Sequence, residues 1–574
     1  MTPQLLPWAK EMCDLFRSGS TAQFILHGNV FDVVPADTDK GQAVSLQEYL
    51  QEVMFAGYDV ILRYDRGKGV RAVRGEKDWA EWFEQATGLS QGSLTAIREP
   101  GKAMEIIDRY LLRTLNLQAI QASASQKKIA VIIDFAEFVV PRGDPLQLGG
   151  EFSSNVVKAL GWANDPAILR SNIVSVFITE GLHDLNELVV ENPHCAKLKI
   201  PLPGESDMLE YVHILQKGAF PDLSQKCEMP VEQLANRLTG LSRVGSRTAL
   251  SMALNTEGKI TTAWLSRMKK TLIERECQGL LEFLESPYTL DHVAGLDAAK
   301  AWLREDTQLL RKNAFHALPM GYLIAGRIGT GKTFLVQCWA GELGIPCLVF
   351  KNFRDRWVGA TESNLEKIFS ILHALGQVVV FVDEADQAAG KRESGDGDSG
   401  LSGRIYAMLA KEMSDTRNRG RIIWVFATSR PDLLEVDLKR QGRLDVHIPL
   451  FAPQTEEEMR VLFHAVAKKL RFPLTEADLP DLPKGLVLGG NEVEGVLVRA
   501  LRKYELAGEN RLPLKKALEE TLTQVRPSAH TKKLEYMDLV AVRECTDERF
   551  LPEHFKNLAP EQLELRIEAL RRYV

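Results

Sequence analysis

A chain of 574 residues is too long for one hydrophobic core, so its length predicts several domains. With 45% hydrophobic and 26% charged residues, the composition is that of a soluble globular protein. The net charge of −6 and the pI of about 6.1 exclude a global basic field that would recruit nucleic acid or anionic lipid, so a nucleic-acid partner is not expected.

The cysteines and the N-terminal segment indicate the cellular compartment in which the protein is expected. The seven cysteines are scattered and never form a C-x-x-C pair, which is typical of reduced thiols. Leu5, Trp8 and Met12 recur at helical spacing, which favours a packed first helix over a signal peptide. No apolar run reaches the ~20 residues of a membrane span. We therefore expect a cytoplasmic protein without a membrane span.

The first half of the chain contains apolar runs that predict buried parallel strands. They cover residues 23–26, 129–134, 172–179 and 198–202. Helical sequence begins near Met208, and a leucine- and alanine-rich helix runs to Leu254. The pattern predicts an α/β domain followed by a smaller helical one.

The second half repeats this order. Its apolar runs cover residues 378–382, 421–428 and 446–450. The distance from strand-end aspartate to strand-end threonine is 45 residues in both halves, from Asp134 to Thr179 and from Asp383 to Thr428. Two unrelated parallel-sheet domains would share apolar strands but not these intervals, so we infer an internal repeat.

Together these landmarks predict five segments, with a break between the halves near Ser286. They are an α/β domain at 1–204, a helical lid-like subdomain at 205–285, a second α/β domain at 286–453, its helical lid at 454–530 and a C-terminal helical tail at 531–574.

A phosphate-binding loop lies between a short apolar strand, residues 322–325, and a helix that begins near Phe334. It reads Gly326-Arg327-Ile328-Gly329-Thr330-Gly331-Lys332-Thr333. The glycines allow backbone N–H groups to surround an anion, and the helix N-terminus adds positive potential. Lys332 is expected to reach the β- and γ-phosphates, and the Thr333 hydroxyl to hold Mg²⁺. The loop predicts binding of ATP.

Two carboxylates end the buried run 378–382. A carboxylate at the carboxyl end of a parallel strand faces the crevice in which ligands bind. We expect Asp383 to be the second Mg²⁺ partner and Glu384 to polarise the attacking water. A solvated acidic turn is the alternative, and the phosphate-binding loop upstream argues against it.

With these motifs in this order, residues 288–505 resemble the AAA ATPases proper, the group of katanin, spastin, the endosomal Vps-type ATPases and the membrane AAA proteases. The resemblance implies a P-loop parallel sheet with a helical lid. It also implies that the nucleotide contacts a segment that cups adenine, the start of the P-loop helix and a small-residue turn in the lid. The corresponding residues are His292, Val293, Ala294, Phe334, Gly490 and Asn491.

The resemblance further implies that Arg440 and Arg443 are paired arginine fingers acting on a neighbour's nucleotide, and hence a homo-hexameric ring. Surface ion pairing is the alternative for two arginines in a basic turn. It also implies that Trp357 and Val358 lie in a loop that lines a central pore and grips polypeptide, with Lys391-Arg392 in a second pore loop.

One position departs from the family. The sensor position after Ala427-Thr428 is usually asparagine, but here it is Ser429, whose hydroxyl is shorter and has a single donor. With Thr428 and Ser429 as the catalytic sensor pair, we expect slow turnover.

The first half is interpreted as a degenerate copy. Asp134 keeps the strand-end carboxylate, but Phe135 stands where the water-polarising glutamate belongs, and no phosphate-binding loop follows the strand 23–26. The positions equivalent to the fingers are Glu191 and His194. This domain is expected neither to bind phosphate nor to hydrolyse ATP.

Two functions remain open for the whole chain. One is an ATP-driven ring that remodels, unfolds or disassembles a protein substrate through the Trp357 loop. The other is an ATP-dependent scaffold or switch with slow hydrolysis and no threading. A peptidase is disfavoured, because the sequence contains no His-Glu-x-x-His motif.

Overall fold

The structure is a computed structural model that describes most of the chain. It describes residues 5–37, 42–88, 97–120, 126–144, 149–256, 258–277, 279–351, 362–386, 399–472, 474–483, 486–506, 513–525 and 530–574. The chain divides into two compact units. The first comprises Met1–Cys277 with Gly359–Ala374, and the second comprises Gln278–Val358 with Leu375–Val574.

The first unit is built on a six-stranded sheet in the order β5-β4-β6-β7-β1-β8. All neighbours are parallel except the edge strand β5, which pairs antiparallel with β4. A separate hairpin is formed by β2 and β3. The strands are β1 (Gln23–Gly28), β2 (Val33–Asp37), β3 (Gln42–Ser45), β4 (Val60–Asp65), β5 (Gly69–Arg74), β6 (Ile129–Ile133), β7 (Ile173–Thr179) and β8 (Cys195–Ile200).

Helices cover both faces of this sheet and then form a separate helical stretch. In β6, Val131 and Ile133 pack in one hydrophobic cluster and Ala130 and Ile132 in the other, which is why the strand is apolar throughout. The helices are α1 (Pro7–Arg17), α2 (Leu46–Tyr49), α3 (Glu76–Thr87), α4 (Pro100–Ile120), α5 (Gly150–Asn164), α6 (Pro166–Leu169), α7 (Glu187–Val190), α8 (Glu205–Lys217), α9 (Leu223–Lys226), α10 (Val231–Leu238), α11 (Arg243–Thr256) and α12 (Thr262–Glu276).

The second unit has a six-stranded sheet in the order β9-β11-β12-β13-β10-β14, again with one antiparallel edge strand, β9. The strands are β9 (Leu281–Phe283), β10 (Gly321–Ala325), β11 (Cys347–Phe350), β12 (Val378–Val382), β13 (Ile422–Thr428) and β14 (Val446–Pro449). Because β9 pairs with β11, the boundary between the units lies at Cys277, before the predicted break near Ser286.

The remaining helices surround this sheet, form its lid or make up the tail, with one exception. They are α13 (Asp297–Arg311), α14 (Lys332–Leu343), α15 (Glu362–Leu375), α16 (Ser399–Met413), α17 (Glu456–Lys469), α18 (Gly490–Leu506), α19 (Leu514–Gln524), α20 (Thr531–Glu544), α21 (Glu553–Lys556) and α22 (Pro560–Leu570). The exception is α15, which belongs to the first unit as far as Ala374. Helices α17, α18 and α19 share their own hydrophobic core, separate from that of the sheet.

The two sheets have the same strand order. From the antiparallel edge inwards, β4, β6, β7, β1 and β8 correspond to β11, β12, β13, β10 and β14. The register also matches, since His27 lies opposite Thr179 in the first sheet and Ala325 opposite Thr428 in the second. The predicted fold class, two α/β domains of related architecture, is confirmed. In the described stretches of both units, no helix combines the length and apolar character needed to cross a bilayer.

Candidate active site

The loop between β10 and α14 is shaped by its first glycine. Gly326 has a φ of +153°, and a Cβ atom added to it would lie 2.2 Å from the carbonyl oxygen of Leu450. No side chain fits there, so glycine is required for the loop to leave the strand beside β14. Helix α14 then begins at Lys332, with its N-terminus towards the loop.

Lys332 is folded back onto its own loop. Its Nζ donates to the carbonyl oxygens of Gly326, at 2.8 Å, and Arg327, at 3.0 Å, and to Ser429 Oγ at 3.0 Å. Burial lowers the pKa of Lys332 to about 8, against the opposing effect of Asp383. Among the residues that the structure describes, no carboxylate lies within hydrogen-bonding distance of this ammonium, and a phosphate group would supply an anionic partner.

Two oxygen ligands suited to magnesium lie together. Thr333 Oγ1 donates to Asp383 Oδ2 at 2.8 Å. A hydroxyl and a carboxylate fit Mg²⁺, which is usually bound by one or two protein oxygens together with substrate phosphates and waters. Within the described stretches there is no cluster of three or more His, Cys, Asp or Glu side chains arranged to hold a metal. These two residues fit a cation brought in with a nucleotide.

Glu384 follows directly and has an unusual backbone conformation. Its φ is +48°, and its N–H donates to Asp383 Oδ1 at 2.9 Å, while the residue as a whole is exposed. A non-glycine residue in the left-handed region is uncommon. The bend places successive carboxylates of one strand end in different environments, with Asp383 bound to Thr333 and Glu384 open to solvent.

The two residues of the predicted sensor pair, Thr428 and Ser429, make different contacts. Thr428 Oγ1 donates to Asp386 Oδ1 at 2.5 Å and accepts the Arg430 N–H at 2.9 Å, so this hydroxyl holds the turn after β13. Ser429 Oγ is a partner of Lys332. The structure thus brings Ser429 to the loop lysine, whereas Thr428 joins the turn after β13 to Asp386, which follows β12.

A cavity of about 810 Å³ lies beside the loop, within the range of small-molecule sites. Its lining includes residues predicted to contact nucleotide, namely His292, Val293, Ala294, Gly329, Thr330, Gly331, Phe334, Gly490 and Asn491. The Gly490 N–H donates to the Gly329 carbonyl oxygen at 2.8 Å, which joins the lid turn to the loop. The segment 292–294, the loop and the lid turn therefore surround one cavity.

The two predicted fingers differ in exposure. The Arg440 side chain is 65% exposed and pairs with Asp437 at 3.0 Å, whereas the Arg443 side chain is 13% exposed and pairs with the same carboxylate at 2.5 Å. Neither arginine lines the cavity. Trp357, Val358 and the pair Lys391-Arg392 lie outside the described residues.

Residues of the C-terminal tail also form the site, which the sequence did not predict. The segment from Arg549 to His554 lines the same cavity. In α20, an oxygen of Asp538 lies 3.6 Å from the Arg327 guanidinium. Burial raises the pKa of Asp538 to about 6, although Arg327 acts to lower it. No local motif marks these residues, because they reach the site only through tertiary packing of the tail.

The same helix is bound to the sensor segment. Tyr536 donates to Asp432 Oδ2 at 3.1 Å, and that carboxylate pairs with Arg430 at 2.8 Å. Glu544 pairs with Lys439 at 2.6 Å. Helix α20 thus contacts the phosphate-binding loop, the segment after β13 and the start of the finger turn.

The equivalent crevice of the first sheet is built differently. Gly28, at the end of β1, has a φ of +94°, and a Cβ atom there would lie 2.7 Å from the carbonyl oxygen of Ile200. Phe135 has a φ of +52°, close to that of Glu384. Asp134, however, is bound by the Arg63 guanidinium. The backbone features are the same, but the aspartate equivalent to Asp383 has a cationic partner.

A second acidic side chain fills this crevice. Asp32 accepts the N–H groups of Arg243, at 2.8 Å, and Val244, at 2.9 Å, at the start of α11. Asn29 donates to the same carboxylate at 2.9 Å. The positive helix N-terminus that could attract an anion is therefore occupied by the chain's own carboxylate.

Three family models match the chain. The AAA+ chaperone N-terminal Rossmann-like domain matches residues 2–201, the AAA+ chaperone second helical domain matches residues 209–278, and the ATPase family associated with various cellular activities (AAA) matches residues 322–451. The first two matches fall in the first unit and the third in the second.

Curated relatives resemble the chain over less than half its length. An ATP-dependent zinc metalloprotease FtsH of Aster yellows witches'-broom phytoplasma is 30% identical over 221 residues, which is 37% of this chain and 32% of the relative. FtsH 1 of Symbiobacterium thermophilum is 32% identical over 238 residues, 40% of each chain. A cell division cycle protein 48 homolog of Archaeoglobus fulgidus is 29% identical over 261 residues, 42% of this chain and 35% of the relative.

The chain thus spans about a third to two fifths of the length of these relatives. The predicted resemblance to AAA ATPases is confirmed. The first unit, which the sequence indicated only as an AAA-like copy, matches two domains of the AAA+ chaperones. Residues 322–451 thus form an AAA domain, and the residues before it are similar to the N-terminal Rossmann-like domain and the second helical domain of the AAA+ chaperones.

Proposed function

We propose that this chain hydrolyses ATP in its second unit and uses the energy, as a ring, to remodel a protein substrate. The observation that carries the proposal is the arrangement of Lys332, Thr333 and Asp383 next to a cavity of about 810 Å³. In this proposal Lys332 contacts the β- and γ-phosphates, and Thr333 and Asp383 hold the Mg²⁺ that accompanies them.

Binding begins with Lys332. Its ammonium contacts two carbonyl oxygens and the Ser429 hydroxyl, all neutral acceptors. Phosphate oxygens are stronger acceptors, so Lys332 is expected to transfer its hydrogen bonds to them. Thr333 and Asp383 would hold Mg²⁺, which supplies neutralisation of the phosphate charge when it is bound.

Hydrolysis requires an oriented water. Glu384 is exposed at the strand end, and the hydrogen bond from its N–H to Asp383 fixes its backbone. Its carboxylate accepts a hydrogen bond from the attacking water, whose oxygen bonds to the γ-phosphorus as the bond to the β-phosphate oxygen breaks. The proton of that water passes to the released phosphate.

A ring would complete this site. Arg440 extends into solvent and is not part of the cavity of its own chain, as expected for a cation that acts on a neighbouring subunit. Arg443 is held by Asp437, so we assign it to shaping the turn and Arg440 to the contact with nucleotide. A homo-hexamer is the assembly that follows from the family.

The work on protein is assigned to Trp357 and Val358, by their position between β11 and α15. Tryptophan offers a large contact area that tolerates varied sequences. The relationship of the first unit to AAA+ chaperone domains also favours a protein substrate. We place the protein in the cytoplasm.

One observation favours the alternative, an ATP-dependent switch that hydrolyses slowly. Ser429 is bound to Lys332, and its single hydroxyl cannot serve this lysine fully and also orient water as an amide would. In that case assembly would follow nucleotide binding, and polypeptide would not be threaded.

Two variants distinguish these functions. Glu384→Gln should keep ATP bound, hold the ring assembled and capture bound substrate, and capture by this form identifies the substrate. Trp357→Ala should abolish remodelling of the captured protein while ATP turnover persists. If Trp357→Ala leaves the cellular function intact while Glu384→Gln abolishes it, threading is wrong and the switch is supported.

A further inference from the structure

The C-terminal tail supplies part of the cavity wall in the second unit. Residues 549–554 line the cavity, although the match to the AAA family model ends at residue 451. They begin after α20 and extend into the short helix α21, so they belong neither to the sheet nor to the lid. One wall of the cavity therefore comes from outside the segment that carries the phosphate-binding loop.

The start of this tail segment is anchored on helix α13. Phe550 is 8% exposed and packs in the hydrophobic core of the second sheet. Its ring centroid lies 5.5 Å from that of Trp302, with an angle of 69° between the ring planes. The Arg549 guanidinium lies 4.7 Å from the centroid of the same Trp302 ring and pairs with Asp547 at 2.8 Å. An edge-to-face aromatic pair and a cation over the same ring hold this end of the segment in place.

The segment is also anchored in a second core. Leu551 and Phe555 pack in the hydrophobic cluster of α20 and α22. The Phe555 ring centroid lies 5.1 Å from that of Phe451, which follows β14. The Leu551 N–H donates to the Glu548 carbonyl oxygen at 3.0 Å. Phe550 and Leu551 are neighbours in the chain but pack in two different cores, so the segment is held on both sides.

Both elements that anchor the segment also line the cavity. Helix α13 contributes residues 297–299, directly before the turn that contains Trp302. Phe451 contributes from the end of β14. The tail segment thus packs against two parts of the wall that belong to the sheet and its first helix. Its position in the wall is therefore set by the cores of the second unit.

The lining of the cavity combines two kinds of chemistry. The phosphate-binding loop offers glycines and backbone N–H groups, which suit an anion. Much of the remaining lining is apolar and includes Val293, Leu296, Leu462, Val466 and Leu551. Small-molecule sites bury flat rings against apolar side chains of this kind. A nucleotide whose phosphates lie at the loop would place its base against this apolar lining, to which Leu551 belongs.

We infer that the tail segment 549–554 is a wall of the base subsite, and that Leu551 determines affinity for the base of the nucleotide. The role of Leu551 rests on the proposed function, because it takes ATP as the occupant of the cavity. The AAA domain and its lid then provide the phosphate site and part of the base subsite, and the tail completes it. The ligand class that needs the tail is a purine nucleotide, whereas a free polyphosphate does not.

The test compares two probes in the full-length chain by isothermal titration. One is Mg-ATP, and the other is Mg-tripolyphosphate, which has the phosphates but no base. The measured quantity is the ratio of the two affinities, which a partly unfolded sample leaves unchanged because it loses both sites equally. Leu551→Ala removes the side chain from the wall. Leu558→Ala is the matched control, because Leu558 packs in the same core as Leu551 but does not line the cavity.

Leu551→Ala should lower the ratio by at least about tenfold through its affinity for ATP, because the apolar contact with the base is lost. Its affinity for tripolyphosphate and both affinities of Leu558→Ala should match those of the wild type. An unchanged ratio in Leu551→Ala, or an equal loss in Leu558→Ala, would overturn the base wall. If Leu551→Ala does not fold, Leu551→Val replaces it, with an expected loss of about threefold.

The same titrations distinguish a failure of the base wall from a failure of the proposed function. A wild type that binds neither probe refutes the proposed ATP site, and the base wall with it. A wild type that binds tripolyphosphate as tightly as ATP has no base subsite, which overturns the base wall and leaves the phosphate site standing. Equal losses of both affinities in Leu551→Ala would show that the tail supports the loop, and they would also overturn the base wall.

Discussion

The two strand-end crevices of this chain share a backbone and differ in their side chains. In each crevice a glycine, Gly28 or Gly326, lies too close to a neighbouring strand for any side chain to fit. In each, the residue after the strand-end aspartate, Phe135 or Glu384, has a left-handed backbone conformation. In the second, Asp383 is paired with a threonine hydroxyl and can take part in binding a cation. In the first, Asp134 is neutralised by Arg63.

The same contrast appears where each lid helix begins. In the second unit the lid turn meets the loop through backbone alone, from the Gly490 N–H to the Gly329 carbonyl oxygen, beside an open cavity. In the first, the carboxylate of Asp32 binds two N–H groups at the start of α11. The comparison teaches that two sheets of the same strand order can carry an open cavity at one strand end and a crevice occupied by the chain's own charges at the other.

The largest expected effect tests whether only the second crevice is active. Glu384→Gln should lower ATP turnover at least about 100-fold, because it removes the group that orients water, while nucleotide stays bound. Phosphate release and equilibrium binding of a fluorescent ATP analogue measure the two properties. Adding Phe135→Glu to this variant should restore nothing, since the first crevice lacks the lysine and the threonine. Recovery of turnover in that double variant would mean that the first crevice still binds ATP.

The next effect concerns the closed crevice. Asp32→Ala removes the acceptor for two N–H groups at a helix start and should lower the free energy of unfolding of the first unit by about 1–2 kcal/mol. Denaturant unfolding, followed by exchange in α11, measures it. Asp165→Ala, at the exposed start of the short helix α6, is the control and should cost less. An unchanged midpoint for Asp32→Ala would show that the carboxylate does not hold this crevice closed.

A pH effect of similar size should mark the open crevice. Because the pKa of Lys332 is lowered to about 8, its ammonium is charged below that pH and becomes neutral as pH rises through it. Nucleotide affinity should fall about tenfold between pH 7 and pH 9. Isothermal titration over this range measures the slope. In the control variant Lys332→Arg the side chain keeps its charge over this pH range. Its nucleotide affinity at pH 7 and at pH 9 should therefore be the same.

The smallest effect concerns the tail. Asp538→Asn keeps the size of the side chain but removes its charge next to Arg327, and it should change nucleotide affinity by about threefold. Glu564→Gln in α22 is the matched control, because Glu564 pairs with Arg543 at the end of α20. Equal affinities for both variants would indicate that α20 supports the fold of the site without tuning it.

Much of this architecture could be predicted from sequence because its signals are local. Apolar runs predicted the strands, and equal intervals between strand-end residues predicted the repeated sheet. Strand β4 was missed because Arg63 interrupts its apolar run, and the structure gives the reason, since the guanidinium binds Asp134.

The missing parts of the site have a different cause. Asp538 and the segment 549–554 lie about 200 residues from the loop in the chain, and nothing in their own sequence refers to phosphate. The same holds for α15, whose helical pattern predicts a helix but not the unit on which it packs. These contacts join residues that are far apart in the chain, so neither the spacing of motifs nor the composition predicts them.

The left-handed bend after the strand-end aspartate has one more consequence. Phe135 adopts it although a phenyl ring cannot accept a proton from water and the conformation costs a non-glycine residue about 1 kcal/mol. The left-handed conformation is therefore a property of the strand end and does not depend on a carboxylate side chain at that position. A strand end of this shape accepts a carboxylate or an aromatic side chain at the same position without a change in its backbone.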